Sequence, residues 1–332
     1  MPKILLTGGC GFAGHHFVEH LLKNTNWDIV ILDKLTYASS GFSRLRDISV
    51  YGDPRLSIFS ADFSEKLSDG VVREIGPVDY ILHMGAETHV DHSIVDAEPF
   101  VRANVLGTLR MLEFARLQEN LKRFIYFSTD EVFGPAPDTG AFSEWDRYNS
   151  GNPYAATKAG GEELCLAYAN THKVPVIITH TMNLFGERQH PEKFVPLCVK
   201  KILAGETVTI HSNQDRTRAG SRFYIHCRNA ADAILFLLNE PDSIRVFKKF
   251  NVVGQKEVDN LALAQLIAEI IGKPLKYEMV DFHSTRPGHD LRYALDGGLM
   301  KNLGWEPPVD FETSLKKTVE WTLNHPQWLE WK

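Results

Sequence analysis

Cysteine is scarce in this 332-residue sequence: Cys10, Cys165, Cys198 and Cys227 are widely spaced, with no C-x-x-C pair. That spacing argues against a disulfide framework or a zinc module and predicts buried free thiols. Long apolar runs are absent, and none approaches the roughly 18 residues of a membrane span. The opening Met1-Pro2-Lys3-Ile4-Leu5-Leu6-Thr7-Gly8 passes from a short apolar stretch straight into glycines. It lacks the longer apolar core and small-residue cleavage site of a secretory signal, so a cytoplasmic protein is expected. A basic excess is lacking as well: 36 Lys and Arg face 42 Asp and Glu, a formal net charge of −6. Neither nucleic acid nor a membrane is therefore an expected partner, and any phosphate has to be held by local features.

Internal repeats, low-complexity tracts and Pro/Ser linkers are also missing. What is present suits a folded enzyme-sized chain: 43% hydrophobic and 23% charged residues exclude a disordered, collagen-like or coiled-coil protein. At about 150 residues per domain the length suggests two domains. In the first half, apolar strands at 3–7, 28–32, 56–60, 80–84, 124–128 and 176–181 alternate with helical stretches at 15–23, 101–119 and 154–172. Several strands are apolar on both faces, as in a parallel sheet covered on both sides. The fold class expected is α/β, a Rossmann-type doubly wound parallel sheet. After about Gly186 the rhythm breaks into loops and an Arg-dense stretch, 216–228. A helix at 230–239 and a strand at 250–253 then look like returns to the first domain. The expected division is a dinucleotide-binding domain of 1–183 with 226–253, and a smaller interleaved α/β lobe of 184–225 with 254–332.

Residues 7–14, Thr-Gly-Gly-Cys-Gly-Phe-Ala-Gly, follow a predicted strand and open a predicted helix. Gly8, Gly11 and Gly14 suit a tight turn that lets the backbone approach a pyrophosphate at a helix N-terminus. Asp33 ends the second strand, where an acid accepts the adenosine ribose hydroxyls and repels a 2′-phosphate, so NAD is the cofactor expected. Asp62, after the third strand, is placed either to meet the adenine edge or to start a loop as an Asx turn.

Tyr154 and Lys158 stand four apart on a predicted helix and so share one face. A neighbouring ammonium favours a phenolate, which would let Tyr154 take a proton from a substrate hydroxyl as hydride leaves the same carbon. Thr129-Asp130-Glu131 end another strand, where ligands of open α/β sheets bind. The two carboxylates there are either a solvated acidic turn or an acid and a base with split pKa values.

With these residues the chain resembles the extended short-chain dehydrogenase/reductases, and within them the nucleotide-sugar 4,6-dehydratases of the dTDP-glucose type. The likeness spans nearly the whole chain. It is carried by Asp33-Lys-Leu-Thr-Tyr-Ala, His83-Met-Gly-Ala-Glu-Thr-His, Ser128-Thr-Asp-Glu-Val-Phe-Gly, Tyr154-x-x-x-Lys158, Pro191-Glu-Lys-Phe-Val-Pro and Arg286-Pro-Gly-His-Asp. The Thr-Asp-Glu triplet discriminates, since related 4-epimerases lack the Asp-Glu pair and related decarboxylases have Ser in place of Asp130. The resemblance implies that Tyr154, supported by Lys158 and Thr129, deprotonates a sugar C4 hydroxyl while NAD takes hydride. Glu131 would then remove the C5 proton, Asp130 would protonate the departing C6 hydroxyl, and the hydride would return to C6. It extends the cofactor site to Phe12, Ala13, Lys34, Thr36, Phe63, Met84, Ala86, Thr88 and Asn104.

A nucleoside diphosphate sugar is the partner implied, and the resemblance assigns its diphosphate to Arg222 and Arg286, beside His289. His89, Asn183, Lys193 and Phe194 would line the sugar path and Thr209 and His211 would flank the base. Four departures from the family pattern stand out. The loop before Arg222 is about four residues longer, which costs little closure entropy. His226-Cys-Arg-Asn replaces an Asp-ending turn, leaving Asn229 as the expected helix cap. Lys256 stands where an uncharged polar substrate contact is expected, and Ala13 replaces a larger aliphatic residue. The alternatives on the same scaffold are a 4-epimerase or decarboxylase, and, in another class, a silent NAD-binding regulatory protein. His89 and His92 lack further metal-ligand spacing, so no metal is expected. A homodimer is expected by family likeness.

Overall fold

The computed structural model describes residues 1–240, 248–281 and 291–330. Seven strands form one sheet in the order Lys248–Val252, Val176–Thr181, Arg123–Thr129, Tyr80–His83, Lys3–Thr7, Asp28–Asp33, Leu56–Ser60, and every neighbouring pair is parallel. Parallel strands need covered faces, and the first strand shows how the alternation serves both. Ile4 and Leu6 join the core under the helices Phe12–Asn24 and Cys227–Asn239, with Phe17, Leu21, Ile234 and Leu237. Leu5 points the other way, among Val30, Ile81, Met111, Leu112 and Cys165 of the opposite layer. After the third strand the chain crosses back to the far side of the first. The crevice between Lys3–Thr7 and Tyr80–His83 is therefore the switch point of the sheet, where such folds bind ligands.

The four cysteines are free and buried. No described helix is long and apolar enough to cross a membrane.

A second, smaller core gathers Val195, Cys198, Ile202, Ile210, Leu263, Ile267, Leu315 and Val319. It lies among the helices Phe194–Ala204, Asn260–Ile271 and Phe311–Asn324 and the parallel strands Val208–Ser212 and Tyr277–Asp281. Neither strand was anticipated. Asn260–Ile271 starts where Asp259 accepts the Ala262 N–H at 2.9 Å, and stops at Gly272 with φ +72°.

Two local expectations are corrected. The stretch from Val101 is not one helix to residue 119: Val101–Leu106 is a π-helical segment, and the α-helix that follows, Gly107–Arg116, ends early. The buried Asn104 amide in the wider turn donates to Glu87 O and Thr157 Oγ1 and accepts from Glu87 N, all at 3.0 Å. Asn229 is not a helix cap. Its helix begins earlier, at Cys227, so His226 Nδ1 caps by accepting from Arg228 N, while Asn229 donates to Val309 O at 2.7 Å.

Candidate active site

A cavity of about 430 Å³ opens at the switch point. Its floor is the glycine turn, and the packing explains the glycines. Gly8 has φ +75° and a Cβ there would lie 2.8 Å from Gly85 Cα; a Cβ on Gly14 would lie 2.1 Å from Gly8 O. Gly11, Phe12, Ala13 and Gly14 bring the N-terminus of a 13-residue helix to the wall, with no side chain capping it. Its first N–H groups thus face the cavity, an arrangement that fits a pyrophosphate. Asp33 lines the same wall, with Oδ2 accepting from Cys10 N at 2.9 Å and Oδ1 from Leu35 N at 2.8 Å. Burial raises its pKa, while those two N–H groups and Arg44 oppose the shift. Each oxygen keeps a lone pair for a ribose hydroxyl. These residues suit a dinucleotide such as NAD.

Lys34, Thr36, Phe63, Met84, Ala86 and Thr88 also line the cavity. Asp62 does not: its Oδ1 accepts from the N–H and hydroxyl of Ser64, the Asx-turn alternative. Asn104 is also off the wall and holds the Glu87 backbone from behind.

Beneath Met84 the Thr7 hydroxyl accepts from the N–H groups of Met84 (3.1 Å) and Gly85 (2.9 Å), leaving its proton for His83 Nδ1 at 2.8 Å. Burial lowers the His83 pKa to about 3, so this ring is neutral and structural.

The catalytic candidates meet where two strand ends lie side by side, with Thr129 opposite Thr181. Thr129, Asp130, Glu131, Tyr154 and Lys158 all line the cavity. Thr129 Oγ1 donates to Asp130 Oδ1 at 2.9 Å and accepts from Glu131 N at 3.3 Å. Asp130 is 4% exposed, and Asn183 Nδ2 reaches its other oxygen at 3.4 Å. Burial raises its pKa to about 6, against the opposing pull of Thr129, Arg222 and His180. Half-buried Glu131 instead accepts an N–H from the Asn152 side chain at 2.9 Å. The adjacent carboxyls thus sit in different surroundings, which is what separates an acid from a base.

Tyr154 and Lys158 share a helix face, but the protein by itself does not pair them as expected. Lys158 Nζ donates to Phe127 O at 2.7 Å and lies 4.1 Å from the centre of the Tyr126 ring. Burial lowers its pKa to about 8 while Glu162 opposes the fall. Burial raises the Tyr154 phenol above its ordinary range and Glu131 and Asp130 add to it, with a Thr129 hydrogen bond pulling it back.

Behind this strand end is a polar network that sequence reasoning missed. Glu162, 1% exposed, takes the Ser128 hydroxyl on Oε1 at 2.5 Å. Its Oε2 meets Tyr148 Oη, His180 Nε2 at 3.1 Å and Lys249 Nζ at 3.6 Å. Burial works against ionisation, but the His180 interactions, with Lys249 and Ser128, hold Glu162 below the usual pKa. Thr181 was missed too: its buried hydroxyl lies on the cavity wall with no partner among the described residues. Its signal was its place at a strand end beside Thr129.

On the substrate side His89, Asn183, Lys193 and Phe194 line the cavity, and His89 lies 3.5 Å from Glu192. Thr209, His211 and Arg222 are not on its wall. Thr209 donates to Glu278 at 3.2 Å, and Arg222 Nη1 donates to the carbonyls of Ser221 and Leu291 with its guanidinium 4.4 Å from the Tyr293 ring centre. Arg286 and His289 lie outside the described residues. Lys256 pairs with Glu312 at the surface.

Residues 4–253 match the NAD dependent epimerase/dehydratase family. Over 323 residues the chain is 39% identical to the low-salt glycan biosynthesis protein Agl12 of Haloferax volcanii, covering 96% of this chain and 98% of that one. It is 35% identical to a dTDP-glucose 4,6-dehydratase of Salmonella typhimurium over 350 residues, 98% of this chain and 94% of the relative. The crystal structure of DesIV, a dTDP-glucose 4,6-dehydratase from Streptomyces venezuelae with NAD and TYD bound, superposes with a TM-score of 0.87 at 34% identity. Coverage in that comparison is 99% of both chains.

Proposed function

The chain belongs to the NAD-dependent epimerase/dehydratase family, and on that basis we propose that it is a nucleotide-sugar 4,6-dehydratase with dTDP-glucose as the favoured substrate. The observation that carries this reading beyond a 4-epimerase is the carboxyl pair at one strand end. An epimerase needs one base for C4, whereas burial lifts the Asp130 pKa to about 6, so this carboxyl holds a proton more readily than an ordinary aspartate and can give it to a leaving hydroxyl.

The glycine turn, the helix N-terminus and Asp33 would hold NAD. Bound there, NAD would supply a hydride acceptor at C4 and a hydride source at C6. Tyr154 takes the C4 hydroxyl proton, supported by Thr129 beside it and by Lys158 on the same helix face. The C4 ketone acidifies C5–H. Glu131 removes that proton, Asp130 protonates the C6 hydroxyl, C6–O breaks, and water leaves as the C5–C6 double bond forms. With C6 reduced by that hydride source, Glu131 would return its proton to C5, giving the 4-keto-6-deoxy sugar. Asn183 and Lys193 orient the sugar diphosphate, with Arg222 contributing positive charge from the rim. His89 and Phe194 border the sugar, and Thr209 and His211 belong to the lobe that receives the base.

Incubation with dTDP-glucose, UDP-glucose and other nucleotide hexoses tests this by mass: the product should weigh one water less than the substrate. An inverted stereocentre at unchanged mass would instead mark an epimerase, and no turnover would leave only a cofactor-binding protein. Exposed apolar side chains at Val95, Val101 and Leu117 support the homodimer expected for the family, and sedimentation should show twice the chain mass.

A further inference from the structure

Asn152 sits at the join between the two halves of the proposed chemistry. It is 6% exposed and immediately precedes the helix Pro153–His172, which carries Tyr154 and Lys158. Its Oδ1 accepts the Ala155 N–H at 2.8 Å, capping that helix. The cap fixes which way the amide faces, so Nδ2 is the atom turned toward Glu131 Oε2 at 2.9 Å. The segment before it is docked on the same turn. Asn149 N donates to Val132 O at 2.9 Å, and the Ser150 hydroxyl reaches that carbonyl at 3.5 Å. Glu131 is thereby held between Thr129 Oγ1, which accepts its N–H, and an amide donor from the catalytic helix.

A donor to a carboxylate favours its ionised form, which is the form a base needs. Asp130, one residue earlier, receives the Thr129 hydroxyl and the more distant Asn183 amide instead. We propose that Asn152 is a positioning residue for the elimination step, its amide holding the Glu131 carboxylate in place at the cavity wall while its carbonyl oxygen starts the helix that presents Tyr154. This inference rests on the dehydratase reading. It deepens that reading by tying the base that works at C5 to the element that works at C4.

The two roles separate by substitution, because Ser and Asp also cap helices but neither offers an amide N–H. Asn152→Ser and Asn152→Asp should melt close to the wild type and keep the transient NADH absorbance that follows addition of dTDP-glucose. Both should exchange the C5 hydrogen with deuterated water about tenfold more slowly or worse, the scale expected for losing a hydrogen bond to a charged group. Asn152→Asp should be the slower, because it sets a second anion against Glu131. Wild-type exchange in both variants overturns the proposal. So does a fall in NADH absorbance and melting temperature that matches the fall in exchange, since that is what loss of the cap alone would give. A wild-type protein that removes no water from any nucleotide hexose defeats the dehydratase reading and this inference together.

Discussion

At the strand ends of the parallel sheet the candidate catalytic groups face the cavity, whereas beside the smaller core several arginines are tied to the protein itself. Thr129, Asp130, Glu131 and Tyr154 all lie on the cavity wall within one strand end and one helix. Arg292 instead grips Glu257 through Nε and Nη2 and donates Nη1 to the carbonyls of Pro137 and Gly140. Arg218 pairs with Asp138, and Arg222 holds the carbonyls of Ser221 and Leu291. A dense run of arginines in a mildly acidic chain therefore does two jobs here. Arg218 fastens Asp138 and Arg222 fastens Leu291, while the charge of Arg222 still reaches Asp130 and favours its carboxylate.

The comparison breaks if chemistry fails to follow the cavity wall. Tyr154→Phe should lose about 10²–10⁴-fold in turnover together with the transient NADH, because it removes the hydroxyl proposed to take the C4 proton. Glu131→Gln should lose dehydration and C5 exchange on the same scale yet keep the NADH transient. A Glu131→Gln protein with unimpaired exchange would remove Glu131 as the base.

Next in size is an effect on stability. Glu162→Gln keeps the shape of the buried network but strips its anion, leaving Lys249 without its counter-charge. Breaking a buried pair this way costs about 3–5 kcal/mol, readable in urea unfolding. A change below about 1 kcal/mol would mean that the network is open to water.

The same contrast explains what could be read from residue order. Tyr154 with Lys158, and Thr129 with Asp130 and Glu131, are close in sequence, so local periodicity alone puts the first two on one helix face and the other three at one strand end. Gly8, Gly14 and Asp33 are legible for the same reason, each belonging to one βαβ unit. The Glu162 network is not local: Lys249 reaches Tyr148 across 101 residues and His180 reaches Asn251 across 71. No spacing rule links such residues until the sheet register is known. Asn152 escaped the sequence reading; an Asn before Pro at a helix start marks a cap but not its second bond. Asp62 and Asn104 were both close to the cofactor wall in sequence. Their side chains turn to Ser64 in one case and to Glu87 and Thr157 in the other, and only packing decides that.

A smaller effect joins the two regions. As a general acid, Asp130 must start protonated, so the elimination rate should fall as pH rises through about 6. Arg222 pulls that pKa down, because its charge favours the carboxylate. Arg222→Gln should therefore move the falling limb to higher pH, by less than about one unit given the distance and partial solvation. A limb that stays in place would confine Arg222 to the rim, with no electrostatic influence on the acid.

The smallest expected effect is at Lys256, where the family pattern suggested an uncharged substrate contact. In the structure its ammonium pairs with Glu312, and the two side chains are 48% and 55% exposed. Exposed pairs contribute little, because water screens the attraction and ordering two flexible side chains costs entropy. Lys256→Gln should change unfolding stability by no more than about 0.5 kcal/mol and leave the KM for the nucleotide sugar as it is. Lys256 would thus join Arg292, which grips Glu257, as a cation engaged by the lobe's own acids. A tenfold rise in KM without loss of stability would place it in the base pocket after all, and the lobe would then hold a binding cation that its ion pairs conceal.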